Sequence, residues 1–370
     1  MKKENASSGT YFVLQALSDN PQIQCFVFIS FLAIYLLILL GNSAIMAAVH
    51  LDSNLSGAPM YMLLGHLSFL DMCYTTVTFP KMLVGLLLDD QTITFGGCFA
   101  QLFFFISFGQ TESFLLAVMA YDRYVAICCP LHYVDRVTRW LCVCLTGLSW
   151  FSGFLNAALH TGLAARLSFC SSNQIGHFFC DITPLLKISC VSTVLNEIVI
   201  YVAGIFIVCT PFLCILLSYV YILLAIIRIP SAKGRHKTFS TCSSHLTVVC
   251  MFYGTVLLMY MRPASYSGEH DKIFALLYTF ITPLLNPFIY GLKSMEVKEA
   301  FKKFILHGRT WRQPYRHNLR QAASHQHWLW AQNGSTFSPV AIYSKQRTKN
   351  VTPLPLAEVE DDGSHFSISL

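Results

Sequence analysis

The chain reads as an all-α membrane protein: a seven-transmembrane helix bundle with a short amphipathic cytoplasmic helix and a disordered C-terminal tail. Three observations predict this. Of 370 residues, 54% are hydrophobic and only 12% are charged, against about 25% charged in a soluble domain; that leaves too little polar surface to face water on all sides. Seven stretches each supply the roughly 20 mostly apolar residues that cross a bilayer as a helix. The basic residues then gather on one set of loops, as orientation in a membrane requires. The formal charge of +6 is modest, and no nucleic-acid partner is expected from it.

Residues 1–22 are polar and lack the basic start, short apolar core and small-residue cleavage site of a secretory signal. They are expected to be an extracellular N-terminus, with the first apolar run as its own anchor. Asn5-Ala6-Ser7 is a glycosylation acceptor if that end lies outside.

The spans of the 23–292 domain fall at about 24–49, 59–87, 98–128, 140–164, 197–227, 239–261 and 272–292. The second carries Pro59, Asp71, Pro80 and Lys81, and the sixth opens on the polar run 238–245. Membrane helices tolerate such residues where neighbouring helices re-satisfy the backbone. Arg136 and Arg139 follow span three, Arg228, Lys233, Arg235 and Lys237 follow span five, and Lys293, Lys298, Lys302 and Lys303 follow span seven; the loop after span two instead reads Asp89-Asp90. Excess Lys and Arg marks the cytoplasm, so the N-terminus is expected outside and the C-terminus inside a multi-pass plasma-membrane protein. In 293–306, Ser294 caps a helix whose Val297, Phe301 and Phe304 share one face among lysines, an amphipathic pattern that lies on membrane lipid. From 307 to 370 the chain turns polar, ends near the acidic cluster 358–362, and is expected to be a disordered cytoplasmic tail; the apolar island Trp328-Leu329-Trp330 within it has no derived purpose.

Most of the fourteen cysteines lie inside spans as small hydrophobes. Cys98, Cys170, Cys180 and Cys190 stand outside, where disulfides persist. Four cysteines allow three pairings, and spacing does not choose among them.

Ionisable residues inside a membrane are costly and mark function by default. On a helix, Phe105, Gly109, Glu112, Leu116, Met119 and Arg123 fall within about 40° of one line, with Glu112 and Arg123 about 16 Å apart along it. That face must look into the bundle. Asp122 is one residue off it and is expected to pair with Arg123. Asp71, Glu112, Asn42 and Asn286 are expected to meet at mid-membrane, either as a structural hydrogen-bond network with one carboxylate protonated or as a sodium or proton site. Thr279, Asn286 and Tyr290 share a face of span seven, with Pro287 beside them. The same stripes give a ligand pocket: Phe105, Ile106, Gly109 and Gln110 from span three, His160 from span four, Ala203 and Ile207 from span five, Tyr253, Val256 and Tyr260 from span six, and Thr279. This lining is apolar with a few polar groups and suits a small neutral molecule. No carboxylate sits at the level of Phe105 to hold an amine.

Several other seven-helix or membrane functions lack their signatures. A retinal Schiff base needs a lysine deep in a span, and span seven has only Lys272 and Lys293 at its ends. There is no repeat between halves or charged pore for a transporter, and no His-Glu-x-x-His motif for an intramembrane zinc enzyme. No enzyme activity and no cofactor are expected.

The stretches "MAYDRYVAICCPLHY" (119–133), "PMYMLLGHLSFLDMC" (59–73), "KTFSTCSSHLTVV" (237–249) and "PLLNPFIYGL" (283–292), with Ser218-Tyr219 near the end of span five, occur in order. Together they resemble vertebrate odorant receptors, a branch of the rhodopsin-like G-protein-coupled receptors, over about residues 10–306. The resemblance implies a small volatile odorant as ligand and a stimulatory heterotrimeric G protein of the olfactory type as partner, with a rise in cyclic AMP. It implies that Arg123 of Asp122-Arg123-Tyr124 is the activation lock and G-protein contact. Tyr219 and Tyr290 would swing inward, and the start of span six, with Lys237 and His245, would move outward. It also implies Cys98–Cys180 and Cys170–Cys190 disulfides. Phe252-Tyr253-Gly254-Thr255 stands where the wider family has a Cys-Trp-x-Pro switch, as odorant receptors usually have. The tail beyond 306 departs from the pattern.

Overall fold

Polar caps and prolines set where the helices begin. In a computed structural model, residues 11–15, 20–170, 173–260 and 275–306 are described. Asn5, the cluster 358–362 and the Trp328–Trp330 island therefore lie outside the described residues. Helix α1 (Pro21–Leu51) starts on Asn20, whose side chain accepts from the Gln22 amide at 3.0 Å; α2 (Pro59–Leu88) starts on its proline and stops where Asp89 turns left-handed at φ 52°. Helices α3 (Phe95–Cys128) and α4 (Arg139–Ala164) are capped by Thr94 and Thr138, which accept from the amides of Gly97 and Leu141. Each cap satisfies one of the amides that a helix start leaves without a partner.

Helix α5 (Val194–Ile227) contains a π-turn at Ile205–Cys209, and the described part of α7 (275–293) contains another at Leu277–Ile281 before Thr282–Lys293. Each π-turn runs into a Thr-Pro pair, 210–211 and 282–283. A proline has no amide to give and its ring crowds the carbonyl four residues earlier, so the ladder widens there. Helix α6 (Ala232–Tyr260) begins several residues before the expected span because its polar first turns continue the helix out of the apolar layer. Helix α8 (Met295–Leu306) follows, with Ser294 accepting from the Val297 amide at 3.2 Å.

Helices α1–α7 form the bundle. Among the described residues, five are long and apolar enough to cross a membrane: Gln22–Leu51, Phe95–Cys128, Arg139–Ala164, Val194–Ile227 and Ala232–Leu258. Helix α2, with Asp71 and Lys81, and the described part of α7 fall outside that set but pack in the same bundle. Helix α3 is the axis. Its most apolar window is 61% buried, whereas those of α1 and α5 are 6% and 11% buried and turn their apolar side chains to lipid. Gly153 lets α4 close on α3: a Cβ there would stand 2.6 Å from the Ser107 carbonyl.

One end of the bundle carries a small sheet, ordered β2-β1-β3, that the sequence reading did not anticipate. Strand β1 (Tyr11–Leu14) pairs antiparallel with β2 (Thr92–Thr94) and parallel with β3 (Gln174–Ile175). The polar N-terminal segment is thus partly structured, and a second apolar core, with Phe12, Leu14, Phe99, Leu102, Ile175 and Leu185 among its members, lies at this end.

Candidate functional site

At the sheet end the structure joins Cys98 to Cys180 and Cys170 to Cys190. Gln101, one turn after Cys98, ties the same loop down twice: its Nε2 donates to the Val77 carbonyl at 2.8 Å and its Oε1 accepts from the Cys180 amide at 2.9 Å. The three-residue spacing from Cys98 was the available signal for this role. The loop then lays Phe178 and Phe179 into the bundle; Phe179 meets Phe105 at 4.7 Å, and Phe105 meets Tyr74 at 4.9 Å. Phe105 is buried beneath the loop. Asp181 follows, wholly buried; its carboxylate accepts from the Ile182 amide at 2.7 Å and from Thr183. Burial pushes its pKa up to about 6, against those two hydrogen bonds.

Deeper on α3, the Gln110 side chain is buried and its Oε1 has no hydrogen-bond partner among the described residues. One turn further in, Ser113 and Tyr253 share a hydrogen bond of 2.8 Å that joins α3 to α6, and Phe212 of α5 packs on Tyr253 at 5.0 Å. His160 is buried on α4. Ile106, Gly109, Ala203, Ile207 and Val256 are half-buried, with Ile207 inside the α5 π-turn. Thr279 is buried but donates to the Ala275 carbonyl of its own helix at 2.7 Å. The Tyr260 side chain lies outside the described set. An apolar recess of about 330 Å³ lies elsewhere, between α2 and α3, lined by Met72, Cys73, Thr76, Val77, Phe104 and Phe108. None of its lining residues belongs to the expected pocket.

At mid-bundle, Asn286 donates to both Asp71 oxygens at 3.2 and 2.9 Å. Asn42 does not reach that carboxylate; it donates to the Ile38 and Pro283 carbonyls at 3.0 and 3.1 Å and so ties α1 to α7. Glu112 is buried within electrostatic reach of Asp71. Its Oε1, the Asn286 Oδ1 and the Tyr290 hydroxyl have no hydrogen-bond partner among the described residues. No group of three or more His, Cys, Asp or Glu gathers there among the described residues.

The far end differs from the expectation in one respect. Asp122 does not pair with Arg123. Successive helical residues are rotated by about 100°, so Asp122 turns to the short helix Tyr133–Arg136 and accepts from the Tyr133 hydroxyl at 2.8 Å, and among the described residues no ion pair joins it to Arg123. Burial, then the Asp122 carboxylate, pushes the Tyr133 phenol above its ordinary range, so it is a neutral donor. Arg123 instead lies half-buried within electrostatic reach of Tyr219, His245 and Tyr290. Tyr124 packs on Tyr221 at 5.8 Å.

His245 is the connection between helices there. Its Nε2 lies 3.1 Å from the Leu116 carbonyl, which only accepts, so that nitrogen carries the proton. Its Nδ1 then accepts from the Tyr219 hydroxyl at 2.8 Å. One buried imidazole thus links α6 to both α3 and α5. The backbone of Lys237 is in α6, and its side chain is not among those described. Pro287 sits in α7 against α1, where a Cβ on Gly41 would stand 3.1 Å from it.

Seven packed helices, a disulfide-pinned loop over one end and a half-buried arginine at the other define a polytopic membrane receptor. The chain belongs to the olfactory receptor family: the family model described as olfactory receptor matches residues 31–308. It is 49% identical over 306 residues to olfactory receptor 1f45 of Rattus norvegicus, covering 82% of this chain and 97% of that protein. It is 51% identical over 308 residues to olfactory receptor 5AP2 of Mus musculus, covering 83% and 96%, and 49% identical over 306 residues to olfactory receptor 1F1 of Homo sapiens, covering 82% and 98%. The protein is an odorant receptor, from a family of signalling receptors and not of enzymes.

Proposed function

We propose that this receptor binds a small, mostly apolar volatile within the helix bundle, among α3, α4, α5, α6 and α7, and passes the signal to a stimulatory heterotrimeric G protein of the olfactory type, raising cyclic AMP. The sheet end faces outside the plasma membrane. Disulfides persist there, and exposed Arg136, Arg139, Arg228, Lys233, Arg235, Lys298 and Lys302 support a cytoplasmic placing of the other end. In that orientation Asn5 is an acceptor for a glycan.

The observation that carries the reading is Arg123, a cation with no ion pair to Asp122, half-buried at the basic end of an olfactory receptor chain. A G protein entering between α3 and α6 meets that guanidinium, with Tyr124, Tyr219 and Tyr290 around it. A ligand must prefer the arrangement that admits the G protein, or it shifts nothing. The ligand contacts are Phe105, Ile106, Gly109, Gln110, His160, Ala203, Ile207, Tyr253, Val256 and Thr279. The Ser113–Tyr253 bond beneath them leads toward His245 on the same helix. At mid-bundle, Asp71, the orphan oxygen of Glu112 and that of Asn286 suit a proton or one sodium ion, whose charge they would share between α2, α3 and α7.

The test is a panel of volatile alcohols, aldehydes, ketones and esters on cells reporting cyclic AMP. Wild type responds to a subset; Arg123→Ala reaches the surface at the wild-type level and gives no response. An unaltered response in the variant removes the arginine from coupling, and silence of wild type across a panel that activates control odorant receptors overturns the ligand class.

A further inference from the structure

The N-terminal strand has no assigned role, yet it is the middle strand of its sheet and its side chains are among the best buried at that end: Phe12 and Leu14 are each 3% exposed. Its backbone is bonded on both sides. The Val13 amide donates to the Asn173 carbonyl at 2.8 Å, the Leu14 amide to the Gln91 carbonyl at 2.9 Å, and the Gln15 amide to the His177 carbonyl at 3.0 Å. Phe12 packs against Phe95 at 5.7 Å and edge-on to Phe169 at 5.3 Å. Leu14 and Gln15 share a small recess with Met82, Leu86, Gln91 and Phe178.

These contacts bear on the loop that covers Phe105. From Cys180 onward the loop is held on the α3 side by the Cys98 disulfide and Gln101. Before Cys180, residues 173–177 are held by β1, through the parallel register Val13↔Gln174 and Leu14↔Ile175 and the bond to His177. Phe178 and Phe179 hang between these two supports, with their rings 5.1 Å apart; Phe178 faces Phe280 at 6.4 Å and Phe179 faces Phe105 at 4.7 Å. Moving β1 by one register position would turn every side chain of the strand to the opposite face, so the strand also fixes the height of the pair.

We infer that β1 is a positioning element for the ligand chamber: Phe12, Val13 and Leu14 touch no ligand but set where Phe178 and Phe179 close over Phe105. This rests on the proposed chamber, so the test reads the loop and the ligand response separately. Val13→Pro removes the amide bonded to Asn173 and cannot sit in a middle strand. Phe12→Ser keeps the backbone and deletes the two ring contacts; it serves if the proline variant does not reach the surface. Both are made in the full-length receptor.

The first readout needs no ligand: hydrogen exchange of the purified receptor in lipid nanodiscs. Losing one backbone bond is worth about 1 kcal/mol, so amides of 174–180 exchange about fivefold faster while those of 101–125 are unchanged. The second is the volatile panel at matched surface level, where the half-maximal concentration of each activating compound rises about fivefold with the maximal response kept. Unchanged exchange at 174–180 overturns the inference whatever the panel does. Faster exchange with unshifted potency also overturns it, because the loop then moves without affecting the ligand. Silence of wild type on the panel strikes the proposed chamber alone, and the exchange result still decides whether β1 holds the loop.

Discussion

The two ends of the bundle are held together by different means. The sheet end has two disulfides, a three-stranded sheet and a second apolar core. The basic end has single hydrogen bonds: Tyr133 to Asp122, Tyr219 to His245, and His245 to Leu116. A covalent closure of a long loop is worth several kcal/mol, and a lone hydrogen bond about 1 kcal/mol. A ligand's differential affinity is a few kcal/mol at most, so it can rearrange the second end and not the first. On the proposed placing of ligand and G protein, the sheet end is a fixed mouth and the basic end a movable base.

The largest effect expected from that contrast is at Cys98. Cys98→Ser opens a loop with a sequence separation of 82, worth about 4.5 kcal/mol in the chain-entropy account, and frees the Phe178–Phe179 roof. Surface delivery, read by antibody on unpermeabilised cells, should be lost. Normal delivery with normal signalling would break the comparison, since the mouth would then not depend on its covalent tie.

Asp181 tests the same end by charge. Its carboxyl is held near pH 6, above its ordinary value, so the fold favours the neutral form. The stability linked to it is present in full below the ordinary carboxylate pKa and is lost as pH rises through about 6. A rise of that size corresponds to at most about 3 kcal/mol. Asp181→Asn keeps the acceptor for the Ile182 amide and removes the charge. The purified variant should melt higher than wild type at pH 7.5 and equally at pH 4, with a flatter profile between. Parallel profiles would show that the buried charge is relieved in another way.

His245 tests the movable end. His245→Phe fills similar space but deletes both bonds that draw α6 to α3 and α5, about 2 kcal/mol in sum. If α6 moves outward on activation, ligand-independent cyclic AMP should rise, by roughly thirtyfold before saturation. A fall in both basal and evoked signal at full surface level would instead assign the imidazole to the signalling arrangement.

The legible part of this architecture was what lipid dictates. Apolar length gave the spans, and helical rotation put Glu112 and Arg123 on the inner face of α3. The Asp71–Asn286 meeting also followed, because neither group can face hydrocarbon. What remained hidden depends on which partner a polar group finds. Asp122 has Tyr133 eleven residues on, a pairing between a span and a loop helix that no periodicity announces. Asn42 was expected at a carboxylate and sits on the backbone carbonyl of Pro283. The strand at 11–14 is too short and too isolated for alternation to reveal, since its partners lie some 80 and 160 residues further on. The π-turns had a signal, Thr-Pro inside an apolar run, that marks a distortion without giving its kind.

The smallest effect expected is that of the tail. The matched relatives align over 82% of this chain while covering 97% or more of their own length in two of the three cases named, and the family match ends at residue 308. The region shared with the family therefore ends about where the tail begins. Helix α8 is capped by Ser294 and buries Val297 and Ala300. Deleting residues 310–370 should leave surface level, half-maximal concentration and maximal cyclic AMP within error of wild type. A reduced maximum with unshifted potency would place the tail at the movable base, since G-protein engagement would be impaired while the mouth still bound ligand. A shifted potency with full maximum would contradict the division into two ends, because a segment that follows α8 would then be acting on the end held by disulfides.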